Sequence, residues 1–426
     1  MSETGARQKS VLLHLSCSVM KKYIRYIIVL VAVIMTACSN ESKEIKILAW
    51  AGVRHDCLHE ALPVLKESGV DYYLSHCGTL ERAMEYLDAG LDAGLMIIPG
   101  LPELKDSTEK IVAALKDHPA LLAYNVKDEP ELWDISWLRR VNETIKTLDS
   151  EHPTYINLYP DWAWGGDSYE IHINIYADSL DTPFYSFDQY PVMRQDASGN
   201  PYDGDGDAVI VIRDTWYRNL EVFSKMARER GRPFWAFAMA KSHHLGPPSP
   251  PAFYPVPTLG HLRLQVFSDL LYGAQVIQYF TANAIYDSGS RKKASTFDVI
   301  KKMNDDIKSW SPVFAGCTVK SVHHHGGRIP LGASGLESMP HRKLLSLDWE
   351  PLDRMNASCH GLLVSLLEND GREYLAVQNK DCENTALLKA AFKGKVRIFN
   401  NAGAESRKAE DFNLMIEPGN IVVFEL

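Results

Sequence analysis

Cysteine is scarce in this chain, seven residues in 426, and no Cys-x-x-Cys pair occurs, so a zinc ribbon or a thioredoxin-type redox site has no support. Gly-x-Ser-x-Gly, His-Glu-x-x-His and the P-loop are missing too, and with them the three chemistries those motifs build. After the first apolar stretch the chain reads Ala51-Gly52-Val53-Arg54-His55, without the glycine spacing of a dinucleotide-binding turn. Positive charge is short as well. The formal net charge is −9, and outside the N-terminus no basic patch is interleaved with aromatics, which argues against a nucleic-acid partner. Asp203-Gly-Asp-Gly-Asp207 has the acidic spacing of a calcium loop but lacks the bidentate glutamate at the required offset. His323–His325 have no suitably spaced carboxylate or cysteine and read as a solvated turn at a domain junction. Neither a metal nor a cofactor is expected.

What is present begins with an address. Met20-Lys-Lys-Tyr-Ile-Arg is a basic flank, and Tyr26–Met35 is an apolar run of signal-peptide length, too short to span a bilayer comfortably. Met35-Thr36-Ala37-Cys38 then resembles a bacterial lipobox, whose cysteine is lipidated and becomes the first mature residue. Residues 1–38 are therefore read as an N-terminal extension (1–19, with Met20 the natural start) plus a lipoprotein signal peptide, and 39–44 as a tether. The expected location is the bacterial cell envelope, periplasmic or at the outer-membrane surface, with a lipid anchor as the sole membrane contact. Processing leaves Cys57, Cys77, Cys317, Cys359 and Cys382; Cys57 and Cys77 fall near the ends of two strands, as a bridge or as buried thiols.

From residue 45 the pattern alternates between an apolar strand and an amphipathic helix. Strands are predicted over Ile45–Val53, Val70–Cys77, Leu95–Gly100, Leu121–Pro130, Thr154–Pro160, Phe184–Pro191, Phe234–Ala240 and Gln275–Ala282. Helices are predicted over His55–Gly69, Thr79–Gly94, Ser107–Leu115, Ile135–Leu148, Ser168–Leu180, Thr215–Arg230, Thr258–Tyr272 and Thr296–Phe314. Eight such units predict an α/β fold, a (β/α)₈ TIM barrel over 45–316. From Cys317 the texture changes to short β-like runs, Leu362–Leu367, Glu373–Gln378, Lys395–Phe399 and Ile421–Phe424, between Gly, Asn and Asp turns, with Pro418-Gly419-Asn420 as the last turn. A small antiparallel β-sandwich domain is expected over 317–426.

The stretch with most chemistry is Leu121–Pro130, Leu-Leu-Ala-Tyr-Asn-Val-Lys-Asp-Glu-Pro. Alternation puts Ala123, Asn125, Lys127 and Glu129 on one face and Leu122, Tyr124, Val126 and Asp128 on the other. Pro130 stops the strand and leaves Glu129 at its carboxyl end, where barrel enzymes place catalytic groups.

Lys127-Asp128-Glu129-Pro130, Phe187-Asp188-Gln189-Tyr190-Pro191, and Leu262–Gln265 running through Tyr272–Gln275 to Ile277–Phe280 together resemble the clan A glycoside hydrolases, most nearly the family 42 β-galactosidases. The resemblance implies a glycosidase acting on a carbohydrate at the cell envelope, with Glu129 as acid/base. It breaks at one point. The clan's nucleophile is a glutamate ending strand seven, but this strand reads Phe234-Trp-Ala-Phe-Ala-Met-Ala240, and no glutamate occurs between Glu229 and Glu337. A second carboxylate must come from another strand end: Asp128, Asp161, Asp188 or Asp287. Asp188 shares a face with Ser186 and Tyr190 and is preferred. Adjacent Asp128-Glu129 also resembles barrels that cleave N-acetylhexosaminides with the substrate's acetamide as nucleophile. A third reading is a barrel that binds glycans without cleaving them. Trp162, Trp164, Tyr190, Tyr254, Tyr279 and Tyr286 are candidates to stack on sugar rings, Asn125, Lys127, Gln189 and Gln278 to bind hydroxyls, and His243 and His244 to form a lid.

Overall fold

The computed structural model describes residues 43–164, 168–204, 206–213, 215–247, 249–327, 329–336, 340–352, 361–399 and 408–426. The signal-like segment, Cys38, residues 39–42 of the tether, Cys359 and the middle aspartate of the acidic loop lie outside the described residues.

Eight parallel strands close into a barrel: β1 (Lys46–Trp50), β2 (Tyr72–His76), β3 (Met96–Gly100), β4 (Tyr124–Asp128), β5 (Thr154–Leu158), β6 (Tyr185–Phe187), β7 (Phe234–Met239) and β8 (Val276–Phe280). Each is followed by its helix: α1 (Leu58–Glu67), α2 (Leu80–Ala93), α3 (Thr108–Leu115), α4 (Ile135–Leu148), α5 (Tyr169–Leu180), α6 (Trp216–Arg230), α7 (Leu259–Leu271) and α8 (Phe297–Phe314). Local chemistry sets the ends. Thr79 Oγ1 caps α2 by accepting from the Arg82 N–H at 3.3 Å, and Gly94 closes it at φ 70°, a left-handed turn that a Cβ would disfavour. Among the described residues no helix is long and apolar enough to cross a membrane.

Alternation divides the strand residues into two layers. Ile47, Tyr73, Ile97, Tyr124, Ile156, Ile277 and Tyr279 pack outward on the helices. Leu48, Leu74, Ile98, Tyr155, Trp235 and Val276 fill the barrel, where Trp235 stacks on Phe184 with centroids 3.9 Å apart. Such a ring pair contributes about 0.5–1.5 kcal/mol beyond its buried area. With the interior so filled, the free space lies at the carboxyl mouth. The hairpin of His243–Leu245 with Ala252–Tyr254 after β7 walls it, and that of Val192–Gln195 with Val209–Ile212 after β6 packs against the Ala252–Tyr254 strand.

The antiparallel β domain consists of β9 (Thr318–His325), β10 (Leu344–Pro351), β11 (Leu362–Asn369), β12 (Arg372–Asn379), β13 (Ala386–Phe399), β14 (Lys408–Ile416) and β15 (Ile421–Glu425). They join in one sheet, β9-β11-β12-β15-β13-β10, with β14 on β13. Long β13 pairs with β10 and β14 along its first half and with β15 at its end. The sheet thus folds over, and Phe392, Phe412 and Phe424 meet inside. The histidine tract is not a solvated turn. It lies in β9, whose period of two buries His324 completely between half-buried neighbours, 3.1 Å from the Tyr272 hydroxyl and 3.2 Å from Lys380 Nζ.

The domain rests on α7, whose residues His261 to Leu271 are all buried. Gln378 of β12 accepts from Ser268 Oγ at 2.7 Å and donates to the Arg263 and Leu264 carbonyls, both at 3.1 Å. At Gly260 the chains approach so closely that a Cβ would meet the Cys382 carbonyl oxygen at 2.2 Å.

Candidate functional site

The alternation expected of β4 fails after Asn125, and the failure builds the site. Asn125 pairs with Tyr155, but the next pairs are Lys127 with Ile156 and Asp128 with Asn157, so Val126 is an extra, bulged residue. Lys127 therefore falls opposite Ile156 of the outer layer, and Asp128 turns into the mouth beside Asn157. Glu129 follows at φ 48°, left-handed for a residue with a side chain, a conformation that costs about 1–3 kcal/mol. Its N–H donates to the Asn157 carbonyl at 2.8 Å, which ties down the turn. Bulge and turn together aim two consecutive acids into one cleft.

That cleft has a volume of about 180 Å³ and is lined by Asp128, Glu129, Asn157, Asp188 and Gln189, with aromatic walls from Trp50, Trp162, Tyr190, Phe237, Tyr254 and Phe280. His243, Leu245 and Ser249 close one side, and Pro160 lies beside Trp162. It is smaller than the roughly 300–1,000 Å³ of sites for drug-sized ligands.

Asn157 joins the acids. Its Nδ2 donates to Asp128 Oδ1 at 3.1 Å and to Asp188 Oδ1 at 2.8 Å, so these oxygens are no farther apart than the two bonds laid end to end. All three acids hold their protons above the ordinary range. For Glu129, burial and then the charge of Asp128 raise the pKa to about 7, against the pull of Lys127. Burial likewise raises Asp128, opposed by the Asn157 bond and by His76 and Lys127. Asp188 is raised well above its ordinary range, by burial and then by Glu129 and Asp128, against bonds from Asn157 and Tyr190. Asp128 is enclosed by protein yet open to the cleft's water, so its shift is the most screened of the three. Of the three, Glu129 is poised to donate a proton near neutrality.

The structure sorts the sequence candidates. Glu129, Asp128, Asp188, Trp162, Gln189, Tyr190, His243 and Tyr254 meet in the cleft. Asn125 is buried below it with an unpartnered Oδ1, and Lys127 is not in the cleft lining but its charge bears on Asp128 and Glu129. Trp164 is a packing residue, stacked on His172 at 4.4 Å. His244 points away, pairing with Asp203 at 3.1 Å while its ring lies against Phe253. Tyr279 faces outward and donates to Asn304 Oδ1 at 2.8 Å, because alternation on β8 gives the interior to Gln278. Gln278 sits in the barrel beneath the cleft, bonded to Tyr155 and Ser186, out of reach of a ligand. Tyr286 donates to Glu60 outside the barrel. Asp161 is held by Gln189 and Thr215, and so positions Gln189 without lining the cleft. Asp287 caps its own turn, accepting from Gly289 N–H at 2.9 Å. Sequence reasoning missed Asn157, although it is the one polar side chain between Ile156 and Leu158 at the end of an apolar strand.

Cys57 and Cys77 are buried thiols. Among the described residues, one group of three metal-ligand types comes together, His261, Cys382 and Glu383, away from the cleft. There His261 Nε2 and Glu383 Oε1 are in direct hydrogen-bond contact at 2.5 Å. Two ligands of one tetrahedral zinc, with bonds of 2.0–2.2 Å, stand about 3.3 Å apart, so this pair is a hydrogen bond.

No protein-family model matches the chain, and no curated protein matches it. Among solved structures the chain is similar to a β-glucosidase from Thermotoga maritima at 10% identity and a TM-score of 0.39, over 60% of this chain and 86% of that one. A GH128 endo-β-1,3-glucanase from Pseudomonas viridiflava gives 13% identity and 0.38, over 61% and 97%. A GH10 xylanase from Thermobacillus composti gives 12% and 0.38, over 61% and 96%. Likeness at this level decides nothing about chemistry, which rests on the cleft itself.

Proposed function

We propose that this protein is a glycoside hydrolase with Glu129 as its general acid, carried at the bacterial cell envelope by a lipid on Cys38. The observation that carries the reading is the convergence of three carboxyl groups with raised proton affinity in one aromatic-walled cleft at the carboxyl mouth of a barrel. Sugar rings offer apolar C–H faces, which suit Trp50, Trp162 and Tyr190, and hydroxyls, which suit the carboxyl groups and Gln189. Glu129, poised near pH 7, would protonate the departing glycosidic oxygen, a contribution of about 10²–10⁴-fold. Asp128 and Asp188 are candidates for the second carboxylate.

A second reading is substrate assistance, in which Asp128 orients a 2-acetamido group that attacks the anomeric carbon. Two features favour it: the bulge turns Asp128 toward the cleft, and the end of β7 contributes Phe237 and no acid. Activity of the processed protein on aryl glycosides with and without N-acetyl groups, the β-galactoside included, separates these readings. Two protein carboxylates require either Asp188→Asn or Asp128→Asn to be as damaging as Glu129→Gln on substrates with and without the N-acetyl group, and substrate assistance requires that of Asp128→Asn on N-acetylated substrates alone. Binding of an oligosaccharide without cleavage of any substrate would leave a carbohydrate-binding barrel instead.

A further inference from the structure

We infer that Ser186, Gln278 and Tyr155 are positioning residues for the carboxyl pair, forming a one-way chain of donors beneath the cleft that fixes the side-chain amide of Asn157 with both its N–H bonds on acids. The inference deepens the glycosidase reading and rests on it for its consequence in catalysis. The Tyr155 hydroxyl donates to Gln278 Oε1 at 2.6 Å, Gln278 Nε2 to Ser186 Oγ at 2.9 Å, and Ser186 Oγ to Asn157 Oδ1 at 2.8 Å. Asn157 Nδ2 then donates to Asp128 and Asp188. Each hydroxyl has one proton, and each is spent in the same direction. The 3.0 Å contact between the Tyr155 and Ser186 oxygens therefore adds no donor of its own.

All four side chains are buried, Ser186 and Gln278 completely. In such surroundings aligned hydrogen bonds polarise one another, and a lost partner is costly. If the amide turned over, Asn157 Oδ1 would face two carboxyl oxygens at hydrogen-bond distance, which is tolerable only with both acids protonated and donating. The Ser186 proton on Oδ1 prevents that. The pair is thereby kept as acceptors, against the burial that favours their protonation.

Other groups also bear on the pair. Asp128 feels His76 from β2 and Lys127 from β4, and Asp188 feels Glu129, Tyr190, Tyr169 and Tyr254 from the surrounding loops and helix. Tyr159 faces Asp128 from the loop after β5. None of these changes in the variants below. Tyr155 does, and burial keeps its hydroxyl neutral throughout.

The test is a carboxyl-carbon NMR titration of processed protein labelled at aspartate, with Asp128→Asn and Asp188→Asn for assignment. Ser186→Ala should raise the titration of both aspartates by about half a unit to one unit, and Asn157→Ala by more. Tyr155→Phe, which removes one oxygen and keeps the packing, should shift them in the same direction by less, and Ser186→Thr should restore them. Tyr279→Phe, an equally buried hydroxyl on the outer face, should leave them unmoved. The acidic limb of kcat/KM against pH should follow the same order. Titrations unchanged in both Ser186→Ala and Tyr155→Phe, or moved as far by Tyr279→Phe, would overturn the inference. If the wild-type protein hydrolyses no glycoside, the functional reading fails while the titrations still decide this one.

Discussion

Replacing Glu129 by glutamine should make the protein more stable and less active at once. Glutamine keeps the size of the side chain and tolerates the left-handed turn no worse. What it removes is a titrating proton. In the folded protein Glu129 titrates near 7, against 4.5 for an ordinary glutamate. Between these values the native state binds more protons than the unfolded chain, so the glutamate's contribution to stability falls as pH rises from 4.5 to 7 and stays low above that. The shift amounts to about 3 kcal/mol at most, less whatever the water in the cleft screens. At pH 4 the variant and the wild type should unfold at the same urea concentration; at pH 9 the variant should be the more stable by up to that amount. Over the same comparison kcat/KM on glycosides with poor leaving groups should drop by about 10²–10⁴-fold, because the departing alkoxide is no longer protonated. Urea melts at the two pH values, with Asp188→Asn as a parallel acid-to-amide change, give the first quantity, and initial rates give the second. A variant no more stable at pH 9 than at pH 4, relative to wild type, would refute the assigned environment of Glu129. Full activity on every substrate the wild type cleaves would show that the cleft is not the active site.

Trp162→Ala should weaken substrate binding, seen as a higher KM or a weaker inhibitor titration, while Trp164→Ala should lower stability and leave KM in place, since its partner is His172. Gly260→Ala should destabilise the protein by about 1–3 kcal/mol in urea unfolding, because the added methyl meets a backbone carbonyl that cannot yield without moving the domain contact. Cys38→Ser should release soluble protein or leave unprocessed precursor in cell fractionation; unchanged processing and attachment would rule out the lipid.

The barrel was legible because its signal is periodic and repeated. Val141 and Ile145 lie on the buried face of α4, whose predicted limits, Ile135–Leu148, match the structure, and a glycine such as Gly94 stops a helix where its conformation requires. The site was legible only in part, because the deciding event on β4 belongs to the backbone. Nothing in Asn125-Val126-Lys127 announces a bulge, so strict alternation gave Lys127 the place that Asp128 holds. Tyr279 and Trp164 were misread for a related reason: an aromatic ring suits a sugar and a helix interface equally well, and only register or a partner such as His172 tells them apart. In the β domain, β9, β10 and β14 escaped notice because their exposed faces carry Lys, Glu and His, which masks the alternation. His324 shows the hazard plainly, a buried residue inside what reads as a polar run.

The all-round burial of α7 bears on how this gene can change. A domain appended to a finished barrel would leave behind, if lost, a helix with one wet face. Here loss of the C-terminal sheet would strip Ser268, Arg263 and Leu264 of the partner that Gln378 supplies. The same helix holds the end of β7, through Gln265 Oε1 and the Met239 N–H at 2.8 Å, four residues before His243 at the cleft. A recombination joint at residue 316 would therefore separate parts that were shaped against each other. A chain cut there is expected to be less stable than the whole, and α7 is the element that links the sheet to the end of β7.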